Sequence, residues 1–411
     1  MREIVIIGGG ASGMAAAIAA ARTGALVTVL EHNEILGKKI LSTGNGRCNL
    51  TNLNLKCEDY RGDDPAFIGE FLKGFDAPAA LEFFSSAGIY TKCRGDYVYP
   101  LCDQASAVRE ALVTELEMLG VKVRTGCHAD RIRQDKDGFL ISCRDEEAPY
   151  RASRVILAAG SRASQISGGG GSGYALAESM GHSLSPVVPA LVQLVSPKKC
   201  FKKLAGVRLT AGIVLYVNGK ITSEDTGELQ LTDYGISGIP VFQFSRVAAY
   251  ALQKQNRTVV GIDFMPEDED NRFDNGPAFW NERWKRQKSQ SMEQFVTGIV
   301  NKKIGLLLLK LSGIKETDRA GGLSPSRRKK LEKLFRDLMV TVRETNSFEQ
   351  AQVSAGGVDF GEVTDKLESV KVPGVFFAGE ILDIDGICGG YNLQWAWSSG
   401  AVAGRAAAED I

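Results

Sequence analysis

The stretch MREIVIIGGGASGMAAAIAAARTGALVTVLE, residues 1–31, decides the fold. A short apolar strand over 2–7 leads into the glycine-rich turn GGGASG at 8–13. An alanine-rich helix follows, and a second strand over 25–30 ends at Glu31. Strand, glycines, helix, strand and acid in this order are typical of the βαβ unit that binds a dinucleotide. The stretch therefore predicts an α/β protein with a Rossmann-like domain.

Each part of the turn has a physical role in such a unit. Gly8 permits the tight turn, Gly10 lets the backbone approach a pyrophosphate, and Gly13 lets helix and strand pack closely. The amides and dipole at the helix N-terminus hold the phosphates. Glu31 stands where a carboxylate accepts hydrogen bonds from an unphosphorylated adenosine ribose. The alternative is a glycine-rich turn that serves only tight packing.

Length and composition bound the remaining possibilities. The 411 residues exceed what one hydrophobic core usually serves, so two or three domains are expected. Lys+Arg and Asp+Glu both count 49, so no net field favours nucleic acid or an anionic membrane as a partner. The apolar stretches are too short for a signal peptide or a membrane span. We predict a cytoplasmic protein with no nucleic-acid and no membrane partner.

The cysteines and histidines give no sign of a metal site. The eight cysteines show no CxxC spacing, and the three histidines are far apart in the sequence. Metal ligation therefore has little support, and we expect free, mostly buried thiols.

The C-terminal part of the chain contains a second candidate for cofactor contact. A buried-looking strand over 375–378 ends at Gly379-Glu380, and Gly389-Gly390 opens a helix rich in small residues. Small residues let that helix lie close to another backbone, and its N-terminal amides are directed at an electron-rich group. The alternative is a helix that merely docks on the sheet.

Three groups of motifs carry a resemblance to a known family. They are GKKILSTGNGRCNLTN at 37–52, TDYGISGIP at 232–240, and AGGVDFGEVTD, GVFFAGEILDIDG and GGYNLQWAWSSGAVAG between 355 and 404. They resemble the bacterial and archaeal flavoprotein family labelled NAD(P)/FAD-dependent oxidoreductase, or aminoacetone oxidase/bile-acid 4,6-reductase. The resemblance covers essentially the whole chain. It departs at Asp233, where the commoner version has histidine, so no role of that histidine is transferred.

The resemblance implies non-covalent FAD, rather than NAD, in the N-terminal site. It places Glu380 at the ribityl or pyrophosphate region and 390–393 at the flavin ring. The residues that it implies along the cofactor are Gly8, Gly10, Ala11, Ser12, Gly13, Glu31, His32, Lys39, Thr43, Asn45, Gly46, Arg47, Cys48, Asn49, Ala159, Gly160, Gly379, Glu380, Gly390, Tyr391, Asn392 and Leu393.

The loop at 37–52 suits that role. Gly44, Asn45 and Gly46 can adopt positive φ, so the loop can curl and direct backbone donors at a cofactor. The alternative is an exposed turn with solvated lysines. Cys48 invites a redox interpretation, but the next cysteine is Cys57, nine residues on, so a dithiol shuttle is not expected.

The chain is predicted to comprise three parts. A discontinuous FAD-binding domain covers 1–190 and 353–411. An inserted β-barrel-like domain covers 191–264 and 338–352, because alternating patterns there predict short strands. A helical subdomain at 265–337 is carried by that insert.

Several local signals support this division. Asn218-Gly219 is a hairpin turn signal, and the acidic segment at 266–277 marks a boundary. Pro325 follows Ser324 at a predicted helix start. A second GxGxxG at 168–173 is interpreted as a loop of the FAD domain near the flavin. A separate NAD(P) domain is disfavoured because no acid ends the segment that follows the helix.

The resemblance implies a FAD-dependent oxidoreductase with a small-molecule substrate. We predict that reduced flavin N5 transfers a hydride to the activated C=C of a ketosteroid or bile-acid-like enone, and that NAD(P)H re-reduces the flavin. Tyr391, Arg47 and Asn392 are the candidate catalytic residues, with Tyr391 the ordinary proton donor among them.

Two alternatives stay open at this stage. One is an aminoacetone-type amine oxidase that uses O2. The other is a FAD-containing RNA-associated or RNA-modifying protein that uses the basic residues at 198–203 and RRKK at 327–330. The sequence pI of 6.9 favours a small-molecule substrate over RNA.

Overall fold

The protein is described by a computed structural model in which the chain forms two compact units. The first unit is discontinuous and consists of Met1–Pro189 and Phe348–Ile411, and the second is Ala190–Ser347. No helix in the described part of the chain is long and apolar enough to cross a membrane. The described residues are 2–62, 65–144, 146–164, 170–198, 201–266 and 276–409.

The first segment of the chain carries most of the first unit. Its elements, with short 3-10 helices at Ile40–Gly46 and Cys57–Asp59, are β1 Glu3–Ile7, α1 Ala11–Arg22, β2 Leu26–Leu30, β3 Thr51–Asn52, β4 Tyr60–Arg61, α2 Pro65–Lys73, α3 Ala77–Ser86, β5 Thr91–Arg94, β6 Tyr97–Pro100, α4 Ala105–Met118, β7 Lys122–Arg124, β8 Ala129–Asp135, β9 Gly138–Cys143, β10 Tyr150–Ala152, β11 Arg154–Leu157, α5 Ser172–Ser179 and β12 Val188–Ala190.

The middle segment forms the second unit. Its elements, with a 3-10 helix at Ala320–Gly322, are β13 Leu194–Val195, α6 Phe201–Leu204, β14 Arg208–Val217, β15 Lys220–Leu231, β16 Gly235–Gly238, α7 Ile239–Gln253, β17 Thr258–Asp263, α8 Pro277–Arg286, α9 Met292–Val296, α10 Lys302–Ser312, α11 Pro325–Arg336, β18 Leu338–Val342 and β19 Glu344–Thr345.

The chain then returns to the first unit. The elements of this last segment, with a 3-10 helix at Phe360–Glu362, are β20 Val353–Ala355, β21 Val375–Phe377, β22 Asp385–Gly386 and α12 Tyr391–Ala408.

A five-stranded parallel sheet forms the centre of the first unit, in the order β21, β11, β1, β2, β7. The apolar run 4–7 of β1 is buried, as expected for a parallel sheet that is covered on both faces. The predicted βαβ unit is confirmed. The carboxyl ends of the parallel strands meet at one edge, so the turns after β1, β2, β11 and β21 lie together.

Helix α12 packs closely against α1. A Cβ at Gly400 would lie 2.3 Å from the Ser12 carbonyl oxygen, and a Cβ at Gly404 would lie 2.3 Å from the Ala16 carbonyl oxygen. The prediction that small residues let this helix approach another backbone is confirmed.

The second unit contains a seven-stranded sheet in the order β18, β17, β14, β15, β16, β13, β19. The predicted hairpin joins β14 and β15, with Asn218 at φ 51° and Gly219 at φ 80°. A closed barrel is not confirmed. The two edge strands are separated along the chain only by Arg343, but no ladder joins them among the described strands.

Four helices, α8 to α11, lie between β17 and β18 and surround an aromatic core. Trp284 stacks on Phe295 with ring centroids 4.0 Å apart, and Leu331 and Phe335 of α11 are fully buried. Arg328 of the RRKK run places its guanidinium 5.0 Å from the Trp284 ring centroid. The acidic boundary segment falls mostly outside the described residues.

The cysteines differ from the prediction in their exposure. No disulfide joins the described cysteines, but Cys57, Cys93 and Cys102 are exposed, whereas mostly buried thiols were expected. Cys127 and Cys143 are buried, and their Sγ atoms lie 2.7 Å apart. Cys200 lies outside the described residues.

A partly buried ionic cluster in the first unit predicts acid sensitivity. Glu362 accepts hydrogen bonds from Lys371 and from the Ser183 amide, and it lies 2.9 Å from His182 Nδ1. Burial favours a higher pKa for Glu362, but these donors lower the pKa to about 2. Burial lowers the pKa of His182. Both shifts favour the deprotonated form in the folded state, so their stabilisation is lost as pH falls.

We therefore expect wild-type stability to fall steeply below pH 4.5, the ordinary pKa of the carboxyl, towards pH 2. In Glu362→Gln, that part of the dependence is absent. Urea unfolding of both proteins at pH 7, 5, 4 and 3 checks the expectation. The difference in unfolding free energy is expected to shrink as pH falls below 4.5. A constant difference across the series contradicts it.

Candidate functional site

The glycine turn after β1 is shaped by close backbone contacts. Gly8 has φ 107°, and a Cβ there would lie 2.3 Å from the Ala158 carbonyl oxygen. A Cβ at Gly13 would lie 1.8 Å from the Gly8 carbonyl oxygen. Gly10 differs, because no other part of the chain lies within 4 Å of a Cβ built there. The packing of the chain itself requires glycine at Gly8 and Gly13, whereas the space beside Gly10 is wide enough to admit a ligand.

Glu31 closes the turn from the end of β2. Its Oε2 accepts the Gly9 amide at 2.7 Å, and its Oε1 accepts the Asn33 amide and side-chain Nδ2 at 2.8 Å each. Burial alone would raise the pKa of this carboxyl, but hydrogen bonds with His32, Asn33 and Gly9 lower the pKa below its ordinary value. Glu31 is therefore ionised, and Oε2 keeps a lone pair for a ribose hydroxyl.

The turn after β21 is fixed against both helices. Ser12 Oγ donates to the Ala378 carbonyl at 3.3 Å. The Gly379 amide donates to Ser399 Oγ at 2.9 Å, and Trp395 Nε1 donates to the Gly379 carbonyl at 3.1 Å. These bonds bring the N-terminal and C-terminal motifs together.

Glu380 joins three segments of the site. Its Oε2 accepts from Lys39 Nζ at 2.7 Å and from Ser161 Oγ at 3.0 Å. Lys39, predicted along the cofactor, is thus partly neutralised by a carboxylate. Ser161 was missed by the sequence analysis, and its place one residue after Gly160 is the only signal for it. Gly160 has φ 70° and no chain atom near its Cβ position.

The loop at 37–52 curls as predicted. Gly44 has φ 55°, Asn45 has φ 54°, Gly46 has φ 82° and Cys48 has φ 63°. The Cys48 amide donates to the Thr43 carbonyl at 3.0 Å and closes the curl. Asn45 and Gly46 are exposed at the tip of the loop, whereas Cys48 is fully buried.

The burial of Cys48 predicts an inert thiol. Burial raises the pKa of Cys48 to about 12, against a smaller lowering effect of the Thr43 hydrogen bond. Only about one thiol in 10⁴ is then ionised near pH 8, and the thiolate is the reactive form. We expect iodoacetamide to label Cys57 and Cys93 in the native protein but not Cys48, as checked by peptide mass spectrometry. Native labelling of Cys48 at the rate of Cys93 contradicts this expectation.

The C-terminal glycine pair meets the end of the same loop. Gly390 caps α12 with φ 98°, and a Cβ there would lie 2.7 Å from the Thr51 carbonyl oxygen and 3.1 Å from Asn49 Oδ1. Asn49 Oδ1 is buried and has no hydrogen-bond partner among the described residues. Asn52 Nδ2 donates to the Gly389 carbonyl at 3.0 Å. A buried amide oxygen without a partner at a helix N-terminus fits a polar ligand edge.

The three candidate catalytic residues differ in whether their polar groups already have hydrogen-bond partners within the protein. Tyr391 directs its hydroxyl to the Asn54 carbonyl at 3.3 Å and interacts with the Asp59 carboxylate. Asn392 is bonded on both sides to the Gly386 backbone at 2.8 Å. Arg47 is half-buried. The polar groups of Tyr391 and Asn392 are therefore already engaged in interactions within the protein.

The remaining predicted residues lie beside these contacts in the same unit. His32 places Nδ1 3.1 Å from Glu31 Oε1. Ala11 and Leu393 pack against the core, and Ala159 contacts the Gly8 turn. The described part of the second glycine motif, from Gly170, also lies in the first unit, and residues 165–169 are outside the described ranges.

The fold and the site define a dinucleotide-binding α/β protein in which the strand ends, the curled loop and the N-terminus of α12 lie next to one another. The open space at Gly10, the ionised Glu31 and the unpartnered Asn49 oxygen fit FAD. The chain belongs to the HI0933-like family, since the model described as "HI0933-like protein Rossmann domain" matches residues 2–406.

Named relatives agree with this assignment. The chain is 49% identical over 412 residues to the 3-dehydro-bile acid delta(4,6)-reductase of Clostridium scindens, covering 100% of both chains. It is 28% identical over 404 residues to the ribosomal RNA dihydrouridine synthase of Escherichia coli K12, covering 97% of this chain and 96% of the relative. With the family, these findings make the chain a FAD-dependent oxidoreductase.

Among solved structures, the chain resembles the 3-ketosteroid-delta4-(5alpha)-dehydrogenase of Rhodococcus jostii RHA1 in complex with 4-androstene-3,17-dione. The TM-score is 0.52 at 17% identity, covering 100% of this chain and 97% of the other. At this identity the likeness shows a shared fold.

Proposed function

We propose that the protein is a FAD-dependent reductase that saturates a C=C bond conjugated to the carbonyl of a 3-oxo steroid or bile-acid-like substrate. The observation that carries the proposal is the 49% identity, over the full length of both chains, to a protein named as a 3-dehydro-bile acid delta(4,6)-reductase.

The proposed cofactor contacts follow from the geometry. The amides of the Gly8–Gly13 turn hold the pyrophosphate, and Glu31 Oε2 accepts a ribose hydroxyl. Ser161 and Lys39 fix Glu380 beside the ribityl chain. In this proposal the first unit is the FAD-binding domain and the second is the insert, with its helical part at α8 to α11.

When bound, reduced FAD would supply a hydride for the carbon β to the carbonyl. The N-terminus of α12, which begins at Tyr391 after the Gly390 cap, directs unpaired amides towards the region where negative charge develops. Asn49 Oδ1 offers an acceptor to an N–H donor beside that terminus. A proton is then required at the α-carbon.

The electron source in the proposal is NAD(P)H. Saturation of each C=C bond consumes two electrons and two protons, and a soluble nicotinamide donor would supply the electrons to the flavin as a hydride.

A second candidate substrate is RNA, because relatives named as ribosomal RNA dihydrouridine synthases match at 28% and 29% identity. The C5=C6 bond of uracil is conjugated to a carbonyl, so its reduction to dihydrouracil is the same class of reaction. On α11, Arg327, Lys329 and Lys330 are exposed, whereas Arg328 contacts Trp284. The lower identity and the balanced charge favour the steroid over RNA.

The test is a competition. The enzyme, NADH and NADPH are incubated without oxygen with equimolar 3-oxo-4,6-diene steroid and unmodified ribosomal RNA, with aminoacetone in a parallel reaction. Mass spectrometry then measures saturated steroid and dihydrouridine. We expect saturated steroid to dominate. Dihydrouridine without saturated steroid supports the RNA alternative. For the aminoacetone reaction NADH and NADPH are left out and oxygen is then admitted, and flavin reduction by aminoacetone followed by O2 consumption supports the oxidase.

A further inference from the structure

A tyrosine that the sequence analysis did not single out lies against the glycine pair that precedes α12. Tyr97 begins β6, which pairs with β5 and, on its other side, with β3. In that register Tyr97 stands opposite Asn52, whose side chain holds the Gly389 carbonyl at 3.0 Å. The pairing with strand β3 therefore places Tyr97 beside the turn that precedes α12.

The Tyr97 ring packs directly on this turn. A Cβ built at Gly389 would lie 2.8 Å from Tyr97 Cε1 and 3.3 Å from Tyr391 Cε2. Gly389 has φ 131°, a conformation that favours glycine. The absence of a side chain at Gly389 thus lets two tyrosine rings flank the entrance to the helix N-terminus.

The two tyrosines differ in what their hydroxyls do. Tyr391 directs its hydroxyl to the Asn54 carbonyl and to Asp59. The Tyr97 hydroxyl has no hydrogen-bond partner within the described residues. Tyr97 is also 39% exposed, so an incoming molecule can reach it. The Tyr97 hydroxyl is held in place by the packing of its ring and donates its proton to no described residue, so it is suited to donate that proton to a substrate.

The electrostatic surroundings keep this proton in place. Burial raises the pKa of Tyr97, and the neighbouring Cys388, Tyr99 and Asp96 raise the pKa further. The hydroxyl is therefore a neutral donor at physiological pH.

We propose that Tyr97 is the catalytic acid that protonates the α-carbon of the conjugated substrate. This inference rests on the proposed enone reduction. The β-carbon gains a hydride from reduced FAD and the α-carbon gains the phenolic proton. The C=C bond becomes a single bond, oxidised FAD remains, and solvent returns a proton to the Tyr97 phenolate. The side-chain polar groups of Asn392 and Tyr391 already donate hydrogen bonds to backbone carbonyls of the protein.

The test uses Tyr97→Phe in the holoenzyme, with Tyr90→Phe as matched control, since Tyr90 is 74% exposed. Flavin content, melting temperature and the rate of flavin reduction by NAD(P)H are expected to equal wild type in both variants. Binding of a saturated 3-oxo steroid to the oxidised enzyme, followed by the flavin difference spectrum, is expected to stay within about threefold. Only reoxidation of the reduced Tyr97→Phe enzyme by the enone is expected to slow, by about 10²–10⁴-fold.

The outcomes distinguish a failure of the proposed function from a failure of the role of Tyr97. If the wild type itself is not reoxidised by any enone, the proposed function fails. If the wild type is reoxidised and Tyr97→Phe matches it within threefold, only the role of Tyr97 is overturned. The same holds if Tyr391→Phe, and not Tyr97→Phe, loses the step. A Tyr97→Phe enzyme that loses flavin or melts early is replaced by Tyr97→Trp, and normal reoxidation by that variant also overturns the role.

Discussion

Replacing Gly13 with alanine is expected to abolish FAD retention. The new Cβ would lie 1.8 Å from the Gly8 carbonyl oxygen, a backbone atom that cannot rotate away. Helix α1 must then move away from the turn, and the amides that hold the pyrophosphate move with it. We expect the purified variant to contain less than about a tenth of the wild-type flavin and to lose about 1–3 kcal/mol or more of stability, as for other overpacked sites. Absorbance at 450 nm and urea unfolding measure both effects.

The matched variant is Gly10→Ala. Its Cβ meets no other part of the chain within 4 Å, and Gly10 has φ −77°, which alanine adopts freely. The flavin-free protein is expected to keep its stability to within about 1 kcal/mol, the size of a change of helix cap. Its affinity for FAD is nevertheless expected to fall, because the methyl group occupies the approach to the pyrophosphate. Unchanged FAD affinity in Gly10→Ala means that the turn serves packing alone.

The second large effect is expected for Glu31→Gln. This change removes the charge that accepts the Gly9 amide and both Asn33 donors, and the Gln amide group directs N–H towards one of them. Losing a hydrogen bond to a charged group costs about 1.5–3 kcal/mol, so the FAD dissociation constant is expected to rise about 10- to 100-fold. Fluorescence titration of flavin-free protein with FAD measures it.

Glu34→Gln is the control for the charge change, because Glu34 is exposed. The affinity of this variant for FAD is expected to equal that of the wild type. The pH dependence gives a second check. The pKa of Glu31 is lowered in the folded protein, so its contribution is present above the ordinary pKa of 4.5 and is lost below it. Equal dissociation constants for the two variants contradict the ribose role of Glu31.

The local parts of the site could be predicted from the sequence because short-range chemistry determines them. The Gly8–Gly13 turn, Glu31 at the strand end and the positive φ values near Gly44 follow from residues that are neighbours along the chain. The close approach of α12 was likewise visible in Gly400 and Gly404. Glycine inside a helix lowers the stability of that helix, so two such residues one turn apart indicate that another backbone lies close to them.

The parts that depend on distant pairing could not be predicted. Tyr97 belongs to the site only because β6 pairs with β3 in one register, and a shift by one residue would turn its ring to the other face. Tyr391 was predicted as the proton donor from its place in the motif. Its hydroxyl is engaged by Asn54 and Asp59, which lie in a segment with no motif of its own.

The second unit shows the same limit. Alternation predicted its strands, and the hairpin at Asn218-Gly219 was placed correctly. Helix α7, Ile239–Gln253, was not predicted, because TDYGISGIP suggested only a motif of the family. Pro240 in its first turn was the signal that marked this helix. Barrel closure depends on whether the two strands flanking Arg343 pair with each other, which no local pattern specifies.

A single anaerobic titration measures enone reduction by the bound flavin directly. The flavin of the holoenzyme is reduced with light and a sacrificial donor, excess reductant is removed, and a 3-oxo-4,6-diene steroid is added while absorbance at 450 nm is followed. We predict that one steroid C=C bond is saturated for each flavin that regains its oxidised spectrum. A flavin that stays reduced until oxygen is admitted, with the steroid unchanged, contradicts the proposed reaction.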